Sequence, residues 1–439
     1  MTSFKDLGLD PKLLAAVEAA GYETPSPIQE KAIPYALEGR DVMGLAQTGT
    51  GKTAAFGLPL VHQLLGGHDK RTPKGVKALI LAPTRELVNQ IAETLRTYVQ
   101  GTHMKVTTVV GGLSINKQIN MLATGTDILV ATPGRLMDLM ERRAVRLDTA
   151  TFLVLDEADQ MLDMGFIHAL RQIAPALGTP RQTMLFSATM PKQMEELSSA
   201  YLEDPVKVQV SPPGKAADKI TQGIHWAQDK GEKVDLLIDY LRDEPDGLSL
   251  VFGRTKHGSE RLMKQLVAAG FDAVSIHGNK SQGQRDRALK AFKDGKASVL
   301  VATDVAARGI DIPSVTHVFN FDLPEVPENY VHRIGRTARA GADGDAISFV
   351  TGEEIGLLRQ IQKVMKIEIP VLAGDRPEEV DPPKRGGGGG RGRGRGGPRG
   401  GSGGRGQGNG QGKPKAAQGQ GKPGGANKRR RSKVRRNAA

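Results

Sequence analysis

Three carboxylates, Asp156, Glu157 and Asp159, stand within four positions at the end of the apolar run in "TFLVLDEA". Like charges crowded so closely repel one another, so the arrangement implies a cation or a reaction that uses them. Upstream, "AQTGTGKT" (46–53) fits the phosphate-loop pattern G-x-x-x-x-G-K-[ST] with Ala46 in the first place. Gly49 and Gly51 let backbone N–H groups turn inward around a phosphate. Lys52 brings a point charge to the β- and γ-phosphates, and Thr53 offers a hydroxyl to Mg²⁺. Ala46, Gln47, Thr48 and Thr50 complete the cradle. A Gly-Thr turn before a helix is the bland alternative; Gly51, Lys52 and Thr53 in the pattern's last three places, ahead of the helix-like "AAFGLPLVHQLL", weigh against it. A nucleoside triphosphate with Mg²⁺ then accounts for the carboxylates. Asp156 holds the metal through its water shell, and Glu157 orients or deprotonates an attacking water.

Such residues must be carried by elements that converge. "KALILAP", "TDILVATP", "TFLVLDEA" and "TMLFSAT" read as short apolar strands followed by turn residues and amphipathic helices. "LSLVFGRT", "DAVSIHG", "ASVLVATD", "THVFNFD" and "DAISFV" repeat the pattern further on. Continuous apolar strands alternating with helices predict parallel sheets covered on both faces, with ligands at the strands' C-terminal ends. "SPPGKAAD" (211–218) reads as a linker. The expected organisation is two α/β domains, 1–210 and 219–370, followed by a disordered basic Gly/Arg-rich tail, 371–439, with almost nothing to bury.

Charge is unevenly placed. Lys384 to the C-terminus carries 17 of the 61 basic residues and no acid, so 1–383 holds 44 against 48 acids. The net +13 therefore comes from the tail, which points to a polyanion, nucleic acid rather than membrane. Absence of cysteine excludes disulfides, zinc–thiolate sites and thiol nucleophiles. "MTSFKDLGLDPK" lacks a signal-peptide pattern and no apolar run approaches the length of a membrane span, so a soluble, cytoplasmic protein is expected.

"DEAD" stands intact at 156–159, and further motifs of one family follow in order over about 1–370. The chain resembles the DEAD-box RNA helicases. "IHGNKSQGQR", "DVAARGIDIP" and "PEVPENYVHRIGRTARAG" make it most similar to the bacterial RhlE group. The resemblance implies two tandem RecA-like domains with ATP and RNA bound across the cleft between them. In "GYETPSPIQ" it implies that Gln29 reads the adenine edge, whose N6 and N7 suit a carboxamide. Tyr22 is expected to pack on the purine, with Phe4 as the upstream aromatic; Ser26 replaces the commoner Thr. Ser187 and Thr189 of "SAT" are expected to hydrogen-bond Asp159 and couple ATP to RNA. In "HRIGRTARAG", Arg336 and Arg339 become arginine fingers on the γ-phosphate and His332 a tie to the first domain. Asp311 is expected to hold the ribose, and Ala338, where Gly is usual, to stiffen the loop.

The same resemblance assigns an RNA track. It comprises Pro83, Thr84 and Arg85, Gly111 and Gly112, and Thr132, Pro133, Gly134 and Arg135, with Arg254, Gln282, Arg285 and Thr303 in the second half. Such groups contact phosphates and sugars rather than bases, and with only 4% aromatic residues stacking should not dominate. The expected activity is ATP-dependent separation of short RNA duplexes, with ribosome assembly and RNA decay among the open settings. Two rivals remain: an ATP-independent RNA annealing chaperone or clamp, and a DNA helicase.

Overall fold

The computed structural model describes residues 2–46, 49–67, 70–190, 192–210, 220–244, 247–307, 315–338 and 343–380. The expected linker 211–218, the tail from 381 onward, and Gln47, Thr48, Asp311 and Arg339 lie outside the described residues.

The first sheet contains β1 (Val42–Leu45), β2 (Val76–Leu81), β3 (Val106–Val109), β4 (Thr126–Ala131), β5 (Phe152–Leu155), β6 (Gln182–Ser187) and β7 (Val206–Gln209). Their order is β3-β4-β2-β5-β6-β1-β7, and every described pairing is parallel. Alternate residues of the inner strands enter two separate cores. Ala78, Ile80, Val130 and Val154 pack beneath the helices Lys52–Leu65 and Arg85–Tyr98. Leu79, Leu81, Leu129 and Leu153 pack on the helices Pro133–Glu141 and Ile167–Ile173. This two-sided burial explains why the strands read as unbroken apolar runs, and each fully buried Leu or Ile contributes about 1.5–3 kcal/mol.

The second sheet repeats the plan with β8 (Ile220–Trp226), β9 (Leu248–Phe252), β10 (Ala273–Ile276), β11 (Val299–Ala302), β12 (Val315–Asn320), β13 (Gly344–Val350) and β14 (Val371–Ala373). Their order is β10-β11-β9-β12-β13-β8-β14, again all parallel. Two tandem RecA-like α/β domains are therefore present.

The boundary expected at 370 moves. β14 pairs with β8, Leu372 packs against Gly223, and the Arg376 guanidinium lies 5.8 Å from the centre of the Trp226 ring. Val380 N–H donates to the Gly352 carbonyl at 3.3 Å. Residues 371–380 thus belong to the second domain rather than to the tail. All three β14 side chains are exposed, so the strand is recruited through its backbone and leaves no apolar pattern to read.

Candidate functional site

β1 ends at Leu45, and the chain passes through Ala46, Gly49, Thr50 and Gly51 into the helix Lys52–Leu65. Gly49 and Gly51 adopt φ +85° and +91°, a region open to glycine at no steric cost. Lys52 is buried; its Nζ lies 3.7 Å from Asp156 Oδ1 and has no hydrogen-bond partner among the described residues. A desolvated ammonium in that condition is costly, and phosphate oxygens at a helix N-terminus supply what it lacks. The residues present therefore fit a triphosphate.

The motif containing Gln29 grips this loop from behind. Ser26 Oγ donates to the Thr50 carbonyl at 2.8 Å, and Gln29 Nε2 donates to the Gly51 carbonyl at 3.0 Å. Gln29 Oε1 accepts from the Ser26 backbone N–H at 2.9 Å in a capping box that starts the helix Pro27–Leu37. A Cβ on Gly51 would collide with the Gln29 amide, a second reason for glycine there. Phe4 is buried with its ring 6.4 Å from that of Tyr22, which is 42% exposed and open to a stacking partner.

The carboxylates follow β5. Asp156 accepts the Glu157 N–H at 2.9 Å, and Glu157 itself holds φ +51°, ψ +51°. A non-glycine residue there carries strain of about 1–3 kcal/mol, which the packed surroundings must sustain. Burial, opposed by the Lys52 charge and reinforced by Glu157, pushes the Asp156 carboxyl up to about 6. Asp159 points to the other side. Its Oδ2 accepts from Ala188 N–H (3.1 Å), Thr189 N–H (2.8 Å) and Thr189 Oγ1 (2.9 Å). Ser187 does not join them, contrary to expectation. As the last, fully buried residue of β6, it turns its hydroxyl to the Thr189 carbonyl at 2.6 Å. It shapes the loop that delivers Thr189, a local side-chain-to-backbone bond of a common kind.

The second domain meets this cluster through the helix Glu328–Ile334 and the turn after it. His332 Nε2 lies 3.9 Å from Asp159 Oδ2, across the cleft. Arg336 is buried, with Nε bonded to the His332 carbonyl at 3.1 Å. Arg333 faces inward instead: it pairs in a fork with Asp304 at 2.5 and 2.7 Å and stacks 4.9 Å from the Phe252 ring centre. Ala338 adopts φ +54°, which explains why glycine is usual there and costs alanine about 1–2 kcal/mol.

The expected RNA residues gather at the C-terminal ends of β2, β3, β4, β9 and β11 and at the start of the helix Gln282–Lys293. Thr84 caps the helix Arg85–Tyr98 by accepting the Leu87 N–H at 3.2 Å. The Arg85 guanidinium lies so close to Gly112 that a Cβ there would collide with it, and burial lowers its pKa. Arg85 also donates to Gln282 Oε1 at 3.0 Å, while Arg285 pairs with Glu86 at 3.1 Å. A groove of about 430 Å³ is lined by Pro83, Thr84, Arg85, Gly111, Thr132, Gly134 and Arg135 from the first domain, and by Arg285 and Val305 from the second. Arg135 is held by the Leu113 carbonyl (3.0 Å) and Asp138 (3.3 Å), and Pro133 opens its helix. Thr303 starts a helical turn through its carbonyl. Arg254 bonds Glu354 at 2.9 Å and is about one-third exposed.

Three residues the sequence reading passed over matter here. Glu86 directly follows Arg85 and Asp304 directly follows Thr303, so adjacency to named residues was their only signal. Glu354 had none, because it follows β13 far from any motif.

A model of the DEAD/DEAH box helicase family matches residues 26–197, and one of the helicase conserved C-terminal domain matches 232–341. The ATP-dependent RNA helicase CshA of Listeria monocytogenes is 46% identical over 366 residues, covering 83% of this chain and 69% of that protein. Among solved structures, S. cerevisiae Dbp5 bound to RNA and ADP BeF3 is 34% identical with a TM-score of 0.77, over 86% of this chain and 96% of that one. A form of the same yeast protein bound to Nup159, Gle1, IP6 and ADP gives 0.57 at 31% identity, over 85% and 96%. On these matches the chain belongs to the DEAD-box RNA helicases.

Proposed function

We propose that ATP and RNA together hold the two domains closed and that the closed track bends one strand until pairing is lost. The observation that carries this reading is the pair of bridges across one cleft. His332 approaches Asp159 on the nucleotide side, and Arg85–Gln282 and Glu86–Arg285 join the domains on the RNA side. Lys52 and the loop amides bind the phosphates, Glu157 takes a proton from the attacking water, and Arg336 and Arg339 stabilise charge on the γ-phosphate in the transition state. Thr53 and Asp156 would hold Mg²⁺, which neutralises phosphate charge when bound. Asp159 connects the two halves: its carboxylate receives Thr189 from one side and faces His332 on the other. Asp311 binds the ribose in this scheme. RNA-stimulated ATP hydrolysis tests it, and a rate indifferent to RNA would contradict it.

The likeness of the motifs quoted above supports a proposed place in the RhlE group within the family, and ribosomal or RNA-decay assemblies in the cytoplasm are the proposed setting. No described helix is long and apolar enough to cross a membrane.

Gln29→Ala is expected to erode the preference for ATP over GTP by about 1–3 kcal/mol, the value of a lost paired polar contact. Because Gln29 also holds the Gly51 carbonyl, affinity for both nucleotides should fall. A competition assay reads the ratio, and an unchanged ratio removes Gln29 from adenine recognition.

Truncation after Pro383 removes all 17 tail basic residues and spares the packed segment 371–380. The shortened protein should keep its maximal RNA-stimulated rate, need more RNA to reach it, and show a shallower salt dependence because fewer counterions are displaced. ATPase measured against RNA at two salt concentrations checks this. If saturating RNA fails to restore the rate, the tail is part of the catalytic apparatus.

A further inference from the structure

We infer that Glu354 is a positioning residue for RNA binding: it orients Arg254 and, by the same carboxylate, fixes the loop leading to the His332 helix. Glu354 is buried just beyond β13, and five donors converge on its two oxygens. Oε1 accepts from Arg254 Nη2 at 2.9 Å and Leu323 N–H at 3.1 Å. Oε2 accepts from Lys233 Nζ at 2.5 Å and from the Thr351 N–H and hydroxyl, each at 3.2 Å.

Lys233 is fully buried, and its Nζ also donates to the Phe321 carbonyl at 2.8 Å. It cannot turn to solvent, so it pins one oxygen of Glu354. The other oxygen is left for the guanidinium at the C-terminal end of β9. Arg254 Nη2 is committed to Glu354 and the Leu323 carbonyl (3.4 Å), and its backbone N–H to Asp322 Oδ2 (2.9 Å). Among the described residues Nη1 and Nε have no protein acceptor, and the side chain is 34% exposed. The guanidinium is therefore held by one nitrogen with the rest of its planar fork turned outward, the geometry that suits a phosphate.

The anchored loop, Phe321–Leu323, also receives Arg333 Nη1 at the Asp322 carbonyl (2.6 Å). One buried carboxylate thus fixes an RNA-side arginine and the approach to the nucleotide-side helix.

The inference rests on the reading of Arg254 as an RNA contact, and a double-mutant cycle separates the two. Glu354→Gln alone strands a buried ammonium, so the charge-neutral pair Lys233→Met/Glu354→Gln is the variant of choice. Its half-saturating RNA concentration for ATPase in the full chain should rise about tenfold, as for a lost charged hydrogen bond. The same pair placed in an Arg254→Ala background should add much less, the remainder being the share of the Phe321–Leu323 loop. Should the pair lower Tm, Glu354→Asp keeps the charge opposite Lys233 while drawing back from Arg254, and runs the same cycle. If Arg254→Ala alone leaves half-saturation unmoved, the RNA reading of Arg254 fails and takes the inference with it. If Arg254→Ala raises it but the Glu354 variants do not, the positioning role is overturned while Arg254 stands. An effect that persists undiminished without Arg254 also overturns it, since purely structural damage would behave that way.

Discussion

Glu157→Gln should nearly abolish ATP hydrolysis while leaving ATP and RNA bound in a long-lived closed complex. Glu157 follows Asp156 directly, is buried, and is held in a left-handed backbone conformation that no helix start requires. Strain of that kind, sustained at a carboxylate beside a phosphate loop, is what the proposed base would need to be in place before substrate arrives. The amide isostere keeps size and hydrogen bonding but cannot take a proton, so binding should survive and the chemical step should not. Lys52→Ala should behave differently: in the proposed role the ammonium binds phosphate in the ground state, so nucleotide affinity itself should fall. Steady-state ATPase together with the lifetime of the RNA complex in ATP checks both. Hydrolysis by the Gln variant at near wild-type rate would remove Glu157 from the water.

Arg336→Ala should lower the maximal rate by roughly 10³-fold or more, with a much smaller change in ATP affinity, because a finger acts on charge that develops in the transition state. The structure supports the assignment by burying Arg336 one helical turn beyond His332, the residue that approaches Asp159. Lys should rescue poorly, since an ammonium lacks the planar fork that matches spread phosphoryl charge. Arg339→Ala is expected to act in the same sense. Pre-steady-state kinetics separates the rate from KM; a loss confined to KM would refute the finger role.

The two parallel sheets were legible because their inner strands are buried on both faces and therefore read as apolar runs, as Leu79 and Ile80 illustrate by entering opposite cores. β14 was not legible, since its exposed side chains carry no pattern and its place depends on backbone bonds to β8. Motif spacing named candidate residues but not the partners of each. "SAT" named Thr189 and Ser187 alike, whereas only Thr189 reaches Asp159. "HRIGR" does not reveal which way Arg333 turns, and it is committed to Asp304 inside the second domain. Gln29 shows the converse: its loop-holding bond to Gly51 emerges only when residues 22 apart in sequence come together. Side-chain direction at a turn is set by packing from distant segments, and one-dimensional spacing does not contain it.

Strand separation of a short RNA duplex by the full chain, measured with ATP, without nucleotide, and on a DNA duplex of the same sequence, tests the central claim most directly. Closure driven by ATP and RNA predicts rapid separation of the RNA duplex in ATP, little without nucleotide, and little for DNA. Equal separation without nucleotide would mark an ATP-independent annealing chaperone, and equal separation of DNA would mark a DNA helicase; either result contradicts the account.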